Sequence, residues 1–410
     1  MSEPGAAAGS RRPRGSWLAV LAAALLGRLA FVMLTPRTIL WPDGREYEAV
    51  ARLLLEHGSY GLQTLRPPGY PTLIAAVYAL FGPSLLALRL VEVVLGTVSV
   101  AVVGQVGAAA FGPRAGLTAA ALMALHPVLA FLPSTQYSEN TLVLVLALAF
   151  GAAFVAWRRG GWWRWALAGA LFGLAALIRP NAVLLLPGLG LGLLLALRRA
   201  GRGWAVPALA AAAALVLTVT PWLVHCHRLH GHWFFIATGG GRQFYFGNNP
   251  RATGSTTDPM WFGAAELDSL RRLPDEMTAE RWLYRQGMDF VRREPARAAL
   301  LYGVKLGNLF ALWPETYSQS FVGGWSRWAQ GLVSLTIFAG ALLALSRLRA
   351  EPALWPLLGA VVSFALAQAA YHSVMRYRMA FEPCLLWMAG VGWGGVGWVA
   401  ALTRRAGLSR

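Results

Sequence analysis

Two charged side chains in the first polar stretch of the chain, Thr35 to Pro71, have the types and the setting to do chemistry. Asp43 precedes a segment of helical periodicity, and Arg66 comes directly before Pro67-Pro68-Gly69-Tyr70-Pro71, whose prolines fix an extended backbone. A carboxylate can exchange a proton and a guanidinium can bind a phosphate, and the polar stretch holds both beside the bilayer. The structural alternative for Asp43 is a helix cap, because Asp43 and Glu46 have the spacing of a capping box.

A second pair of cations, Arg376 and Arg378, lies just before the last apolar segment. The topology given below places both arginines on the outer side, against the bias of positive residues towards the inside. Arginines in such a position are expected to meet an anion such as a lipid phosphate. The alternative is an interfacial anchor whose side chains snorkel to the headgroups.

The segment after Asp43 must form a helix to position these groups. Its apolar and charged residues fall on different faces, which predicts a helix that lies in the membrane interface and ends at Gly58. The apolar stripe consists of Tyr47, Val50, Ala51 and Leu54. Two other apolar stretches, Tyr70 to Gly82 and Ala298 to Trp313, are too short to span and are expected as interfacial or re-entrant helices on the outer side.

The composition is typical of an all-α polytopic membrane protein. The 410 residues are 57% hydrophobic and 13% charged, with repeated apolar runs of the length that crosses a bilayer. The net charge of +18 lies mainly in short loops between these runs, which indicates membrane topology and no nucleic-acid partner. About ten transmembrane helices are predicted, near residues 17–34, 86–111, 115–132, 139–157, 164–178, 182–197, 204–224, 327–346, 353–371 and 380–402.

Arginines mark one side of the membrane. With the N-terminus inside, every inner loop carries arginine, so the short loops are assigned to the cytoplasm and the long ones to the outer side. The first apolar segment has no small-residue cleavage site and is expected to be retained as a signal anchor. The predicted units are a cytoplasmic tail (1–16), an N-terminal transmembrane module (17–224) that includes the first outer loop (35–85), an outer region with an interfacial helix and a small subdomain (225–326), the C-terminal transmembrane helices (327–402) and a second cytoplasmic tail (403–410).

The outer region begins with a cluster of histidines. Four histidines and Cys226 lie between His225 and His232, and imidazole and thiol groups are good ligands for zinc or copper. No carboxylate is interleaved and the spacing matches no standard site, so side chains facing the interface are the preferred interpretation. The glycines from Gly239 to Gly241 are expected to form a flexible turn under the outer subdomain.

Ionisable residues inside the predicted spans are few. Arg89 and Glu92 stand at i and i+3 near the outer end of the second span and are expected to pair with each other. His126 and Gln368 are expected to make structural contacts between helices. The sequence shows neither an inverted repeat nor paired broken helices, which a transporter would be expected to have.

Taken together and in order, these motifs resemble the GT-C superfamily of membrane glycosyltransferases, especially bacterial relatives of the protein O-mannosyltransferases and the aminoarabinose and lipid A galacturonosyltransferases. The resemblance covers nearly the whole chain. It is carried by Asp43 with Tyr47 and Ala51, Arg66-Pro67-Pro68-Gly69-Tyr70-Pro71, Ser138-Glu139, Arg179-Pro180-Asn181, Pro221-Trp222, Gly239 to Gly241, Gly247-Asn248-Asn249-Pro250 and Arg376-Tyr377-Arg378.

The resemblance implies roles for these residues. Asp43 would act as the catalytic base or orient the acceptor, and Arg66, Arg376 and Arg378 would hold the lipid phosphate. Glu139 matches an acidic position near the reacting centre, although capping or packing is an equal alternative. The remaining expected substrate contacts are Tyr47, Tyr70 and Arg179. His225-Cys226 replaces the Arg-Asn that relatives often carry after Pro-Trp, which leaves the contacts of that segment open.

The implied activity is an inverting transfer of a sugar from a polyprenyl-phosphate donor to a lipid, glycan or protein acceptor at the outer face of the inner (plasma) membrane. No nucleotide sugars are present outside the cell, so the sugar must arrive on a lipid carrier whose phosphate lies at headgroup depth. No cofactor is expected, and a divalent metal is not implied because Gly44 follows Asp43 in place of a second acid. The alternative is a transporter or flippase of lipid-linked saccharides, in which the same arginines bind phosphate without chemistry.

Overall fold

The computed structural model describes residues 14–62, 64–254, 262–313 and 324–395, and this part of the chain contains helices and connecting turns but no strand. The all-α prediction is confirmed. The α-helices are α1 (Arg14–Leu34), α2 (Pro42–His57), α3 (Gly69–Phe81), α4 (Leu85–Phe111), α5 (Pro113–Ala124), α6 (Pro127–Phe131), α7 (Glu139–Arg159), α8 (Trp162–Ile178), α9 (Leu186–Arg199), α10 (Ala205–His230), α11 (Gly240–Gly247), α12 (Ala264–Arg271), α13 (Glu276–Arg293), α14 (Pro295–Leu309), α15 (Gly324–Leu345), α16 (Leu354–Gln368) and α17 (Glu382–Gly394). Short 3-10 helices lie at Leu132–Ser134, Pro180–Leu185 and Met375–Ala380.

Six of the described helices are long and apolar enough to cross a membrane. They lie in Gly15–Leu34, Leu85–Phe111, Glu139–Arg159, Pro180–Arg199, Ala205–His230 and Ser326–Leu345. The pair Pro113–Ala124 and Pro127–Ser134, bent by 61°, supplies a seventh if it counts as one span. Three further predicted spans correspond to α8, α16 and α17, which have 17, 15 and 13 residues. The number ten and the domain boundaries therefore stay predictions, and the tail 403–410 lies outside the described residues.

Close backbone contacts and one large aromatic residue hold the bundle together. Helices α9 and α16 cross at Gly188 and Gly359, where a Cβ on either residue would collide with the backbone of the other. Trp387 of α17 is fully buried at the centre and donates its indole N–H to the carbonyl of Val103 over 2.8 Å. These contacts fix α17, and with it the chain immediately before α17, against the rest of the bundle.

Helix α2 confirms that a helix follows the polar stretch at Asp43. Tyr47 and Ala51 are buried on the predicted stripe, and Gly58 ends the helix in the left-handed conformation with φ 64°. The capping box is wrong, because the helix begins two residues earlier than expected. Pro42 occupies the first turn, and the N-cap is Trp41, which makes no side-chain cap hydrogen bond. The carboxylate of Asp43 is therefore available for other contacts.

The predicted pairing of Arg89 with Glu92 is also wrong. Arg89 donates to backbone carbonyls in the segment after α1, including that of Pro36 at 2.8 Å. Glu92 accepts hydrogen bonds from Asn140 and Thr141 of α7. Both residues therefore find their partners on other segments of the chain.

The outer subdomain packs α11 against α13. The glycines expected to form a flexible turn instead begin α11, whose N-cap is Gly239. Lys305 of α14 is buried beneath the end of α11 and donates to the carbonyl of Gly247 at 3.0 Å and to Asn248 Oδ1 at 3.1 Å. This region is therefore an ordered helical unit rather than a loop.

Candidate active site

A cavity of about 780 Å³ opens between the first outer loop, the outer subdomain and the 3-10 helix Met375–Ala380. Five of the residues predicted to contact substrate or do chemistry line it, namely Asp43, Tyr47, Arg66, Arg179 and Arg376. They come from segments more than 300 residues apart in the sequence, and the fold brings them into one place.

Asp43 is the centre of this group. Its Oδ1 lies 2.7 Å from a terminal guanidinium nitrogen of Arg66, and its Oδ2 lies 3.1 Å from one of Arg376. Arg66 also contacts Glu46, which lies on α2 together with Asp43, at 2.7 Å. Burial opposes ionisation of Asp43, but the positive charges of Arg376 and Arg66 outweigh it and hold the pKa of this carboxyl well below its usual range. Asp43 is thus an ionised carboxylate at any pH the cell experiences.

Glu139 extends the charge network behind the cavity wall. Its Oε1 lies 2.7 Å from Arg179 and 3.1 Å from Arg376, and its side chain is only 1% exposed. Each carboxylate of this network contacts two cations. The charges alternate in the order Arg66, Asp43, Arg376, Glu139, Arg179. Glu139 therefore orients the arginines from behind and does not itself line the cavity.

Aromatic rings support the two central arginines. The guanidinium carbon of Arg66 lies 4.9 Å from the ring centre of Tyr47, and that of Arg376 lies 4.0 Å from the ring centre of Tyr137. Tyr70 packs edge-on against Tyr47 with ring centres 5.0 Å apart and is fully buried. Tyr70, which was predicted to contact substrate, therefore lies behind Tyr47 and outside the cavity lining.

Arg378, which was predicted to contact phosphate, also lies outside this cavity. The side chain is fully buried, with Nε 2.7 Å from Glu382 and further hydrogen bonds to the Ala311 carbonyl and Ser334 Oγ. His126 contacts the same Glu382 at 3.3 Å. Arg378 is thus a structural cation that fastens the 3-10 helix to its neighbours.

Several cavity residues were not predicted. Arg242 and Gln243 come from α11, Glu280 and Arg281 from α13, and Arg327 from the start of α15. The many charged residues between 264 and 297 predict a solvated pair of helices, and α12 and α13 confirm the helices. Their helical pattern gave no sign that one turn of α13 would face a cavity.

Glu280 is the third carboxylate of the cavity lining, after Asp43 and Glu46. Its Oε1 accepts a hydrogen bond of 2.6 Å from the backbone N–H of Gly241 at the start of α11. Burial raises the pKa of Glu280 to about 7, against the opposing effect of that hydrogen bond. In the part of the chain that the structure describes, no cation forms an ion pair with it, so Glu280 and Asp43 differ sharply in proton affinity.

The histidines of the cluster make packing and hydrogen-bonding contacts with neighbouring side chains. His225 stacks on Trp222 with ring centres 5.0 Å apart, and His227 stacks on Trp233 at 4.2 Å. His230 Nε2 lies 3.0 Å from Thr64 Oγ1. Among the described residues, no three histidine, cysteine, aspartate or glutamate side chains are grouped so that they could hold a metal ion.

Comparison with known families gives one match by sequence. Residues 65–225 match the family described as dolichyl-phosphate-mannose-protein mannosyltransferase. This segment contains Arg66, Glu139 and Arg179, whereas Asp43 and Arg376 lie outside it. A search of curated protein sequences found no match.

Solved structures share the fold over almost the whole chain. The apo oligosaccharyltransferase of Archaeoglobus fulgidus superposes with a TM-score of 0.58 and 17% identity, covering 96% of this chain and 52% of that one. The same archaeal enzyme, AglB, in complex with an inhibitory peptide and a dolichol-phosphate, has a TM-score of 0.56 and 16% identity, with 96% and 52% coverage. A weaker likeness, with a TM-score of 0.46, is to ArnT from Cupriavidus metallidurans bound to undecaprenyl phosphate, at 15% identity and with 92% and 78% coverage.

The chain therefore shares the fold of these membrane glycosyltransferase structures, and its family match covers residues 65–225, which is less than half of the chain. The chain spans about half the length of the archaeal oligosaccharyltransferase that it resembles.

Proposed function

We propose that the protein is an inverting glycosyltransferase that moves a sugar from a polyprenyl-phosphate donor to an acceptor at the outer face of the membrane. The observation that carries this proposal is the position of Asp43 between Arg66 and Arg376 at the wall of a large cavity. In such a site the carboxylate can contact the acceptor while the two guanidinium groups bind the phosphate leaving group.

The arginines of the cavity receive the donor phosphate. Arg66, Arg179 and Arg376 are each held in place by a carboxylate, so their remaining N–H groups are already oriented before substrate binds. The structure of AglB with a dolichol-phosphate supports a lipid phosphate as the ligand of this fold. Arg378 is not included in this set because Glu382 and Ser334 occupy it.

In the reaction, the acceptor oxygen attacks the anomeric carbon from the face opposite the phosphate, and the bond from that carbon to the phosphate oxygen breaks. The electron pair leaves with the lipid phosphate, whose growing charge the arginines stabilise. Asp43 accepts a hydrogen bond from the acceptor hydroxyl and orients it, and the hydroxyl proton passes finally to the released lipid phosphate or to water. Of the two roles that the family resemblance implies, orientation fits the low proton affinity of Asp43 better than that of a base.

Purified protein incubated with a panel of labelled polyprenyl-phosphate sugars tests this proposal. Release of free lipid phosphate together with a glycosylated acceptor is the expected result. Binding of the donors without release from any of them, by folded protein, would contradict the proposal and favour the transporter.

A further inference from the structure

We propose that Gln243 of α11 and Asn181 of the 3-10 helix Pro180–Leu185 form the subsite that binds the hydroxyl groups of the donor sugar. The inference rests on the proposed function, because it takes the donor to be a polyprenyl-phosphate sugar, and it assigns the sugar contacts that the arginine network does not supply. Both amide side chains line the same cavity as Arg179 and Arg376.

Neutral polar groups form a hydrogen-bonded chain along one wall of this cavity. The Asn181 amide donates to Gln368 Oε1 at 3.1 Å, and the Gln368 amide donates to the carbonyl of His372 at 3.1 Å. The backbone N–H of His372 in turn donates to the carbonyl of Gln243 at 3.0 Å. The positions of Asn181 and Gln243 are therefore coupled, although the two residues come from different segments of the chain.

Tyr377 connects this neutral chain to the arginines. Its hydroxyl donates to Gln243 Oε1 at 3.4 Å. Its ring centre lies 5.3 Å from the guanidinium carbon of Arg179 and 5.7 Å from that of Arg376. The amide group of Gln243 is thus one tyrosine ring away from two of the arginines that are proposed to bind the phosphate. A pyranose ring and a tyrosine ring are similar in length, so a sugar whose phosphate contacts these arginines reaches Gln243 with its far hydroxyl groups.

The amide groups of this wall match the chemistry of a sugar hydroxyl, which both donates and accepts hydrogen bonds. From the residues that the structure describes, Gln243 Nε2 receives no acceptor, and the buried Asn181 Oδ1 receives no donor. A buried acceptor without a donor costs free energy that a hydroxyl group of the ligand recovers. Because neither side chain is charged, the subsite suits an uncharged sugar better than one with an amino or a carboxyl group.

Binding measurements with and without the sugar separate this role from a structural one. Purified protein is titrated with undecaprenyl phosphate and with its mannose, glucose, galactose, aminoarabinose and galacturonic acid esters. We expect the wild type to bind at least one of the three uncharged esters more tightly than undecaprenyl phosphate. Gln243→Leu and Asn181→Leu should each lose about tenfold in affinity for that ester, because each removes a hydrogen bond to a hydroxyl group. Both variants should bind undecaprenyl phosphate as the wild type does.

The control is Gln286→Leu, the same substitution at an exposed position of α13 outside the cavity lining. It should bind every ligand as the wild type does. Unchanged affinity of Gln243→Leu and Asn181→Leu for the sugar ester would overturn the inference. An equal loss of affinity for undecaprenyl phosphate in both variants would also overturn it, since this indicates a structural role.

The wild type alone supplies the remaining outcomes. Failure to bind any sugar ester more tightly than undecaprenyl phosphate, or a preference for one of the two charged esters, would likewise refute the sugar subsite. Preferential binding of an uncharged ester without release of lipid phosphate from any donor would instead refute the proposed function and leave the subsite in place. The two proposals can therefore fail separately.

Discussion

Arg376 contacts both Asp43 and Glu139 and so links these two carboxylates. One terminal nitrogen of its guanidinium lies 3.1 Å from Asp43, and its Nε lies 3.1 Å from Glu139. A planar group with several fixed N–H donors can bridge two carboxylates and still present a donor to a ligand. Burial lowers the pKa of Arg376, but the negative charges of Glu139 and the other neighbours outweigh this and keep it raised. The side chain is therefore permanently charged.

The substitution Arg376→Lys should keep the positive charge but lose the simultaneous contact with Asp43 and Glu139. A lysine ammonium is a point charge without the planar fork, so it cannot hold both carboxylates in the same geometry. We expect weaker binding of polyprenyl phosphate and at least about a tenfold loss of kcat/KM, or about 1.4 kcal/mol. Isothermal titration and initial-rate measurements check this. Arg292→Lys is the control, because Arg292 is exposed on α13 and pairs with Asp289 at the surface; a wild-type result for Arg376→Lys would contradict the bridging role.

At the scale of elements, the 3-10 helix Met375–Ala380 explains which arginine of the predicted pair reaches the cavity. In a helix with three residues per turn, side chains two positions apart point in different directions. Arg376 therefore faces Asp43 while Arg378 faces Glu382. The sequence predicts both as outward-facing cations. Nothing local distinguishes them, because the distinction depends on Glu382, the partner that α17 supplies.

Replacing only one of Arg378 and Glu382 should destabilise the protein, whereas replacing both together should destabilise it less. Removing one partner leaves the other buried and uncompensated, at a cost of about 3–5 kcal/mol. We expect Arg378→Met and Glu382→Met each to lower the thermal unfolding midpoint in detergent, and the double variant to recover part of the loss. Single variants of unchanged stability but weaker lipid phosphate binding would instead restore the phosphate role first expected for Arg378.

For the molecule as a whole, the sequence alone was sufficient to predict the all-α fold and five of the residues that line the cavity. Hydrophobic runs and arginine-bearing loops are local signals, and motif order carried the superfamily resemblance. The count of spans did not follow as firmly, because short helices such as α8 and α16 gain burial from their neighbours rather than from their own length. Glu280 escaped notice for a related reason, since only the packing of α13 on α11 turns it towards the cavity.

The orientation of the cavity across the membrane is open to a direct labelling test. Single cysteines at Arg272 in the outer subdomain and at Arg159, the last residue of α7, would be introduced into a variant in which Cys226 and Cys384 are serine. Arg272 and Arg159 are both exposed, and the two native cysteines are buried. A membrane-impermeant thiol reagent should label position 272 in intact cells and position 159 only after lysis. The reverse pattern would place the cavity on the cytoplasmic side.

In the proposed mechanism, the carboxylate of Asp43 between Arg66 and Arg376 takes part in sugar transfer. The most direct measurement is the rate of lipid phosphate release from labelled polyprenyl-phosphate sugars by wild type and by Asp43→Asn, with Glu48→Gln as the control because Glu48 pairs with Arg52 on α2 outside the cavity. We predict that Asp43→Asn loses about 10²- to 10³-fold in kcat while it still binds undecaprenyl phosphate, and that Glu48→Gln behaves as wild type. Release by Asp43→Asn at the wild-type rate would contradict the account.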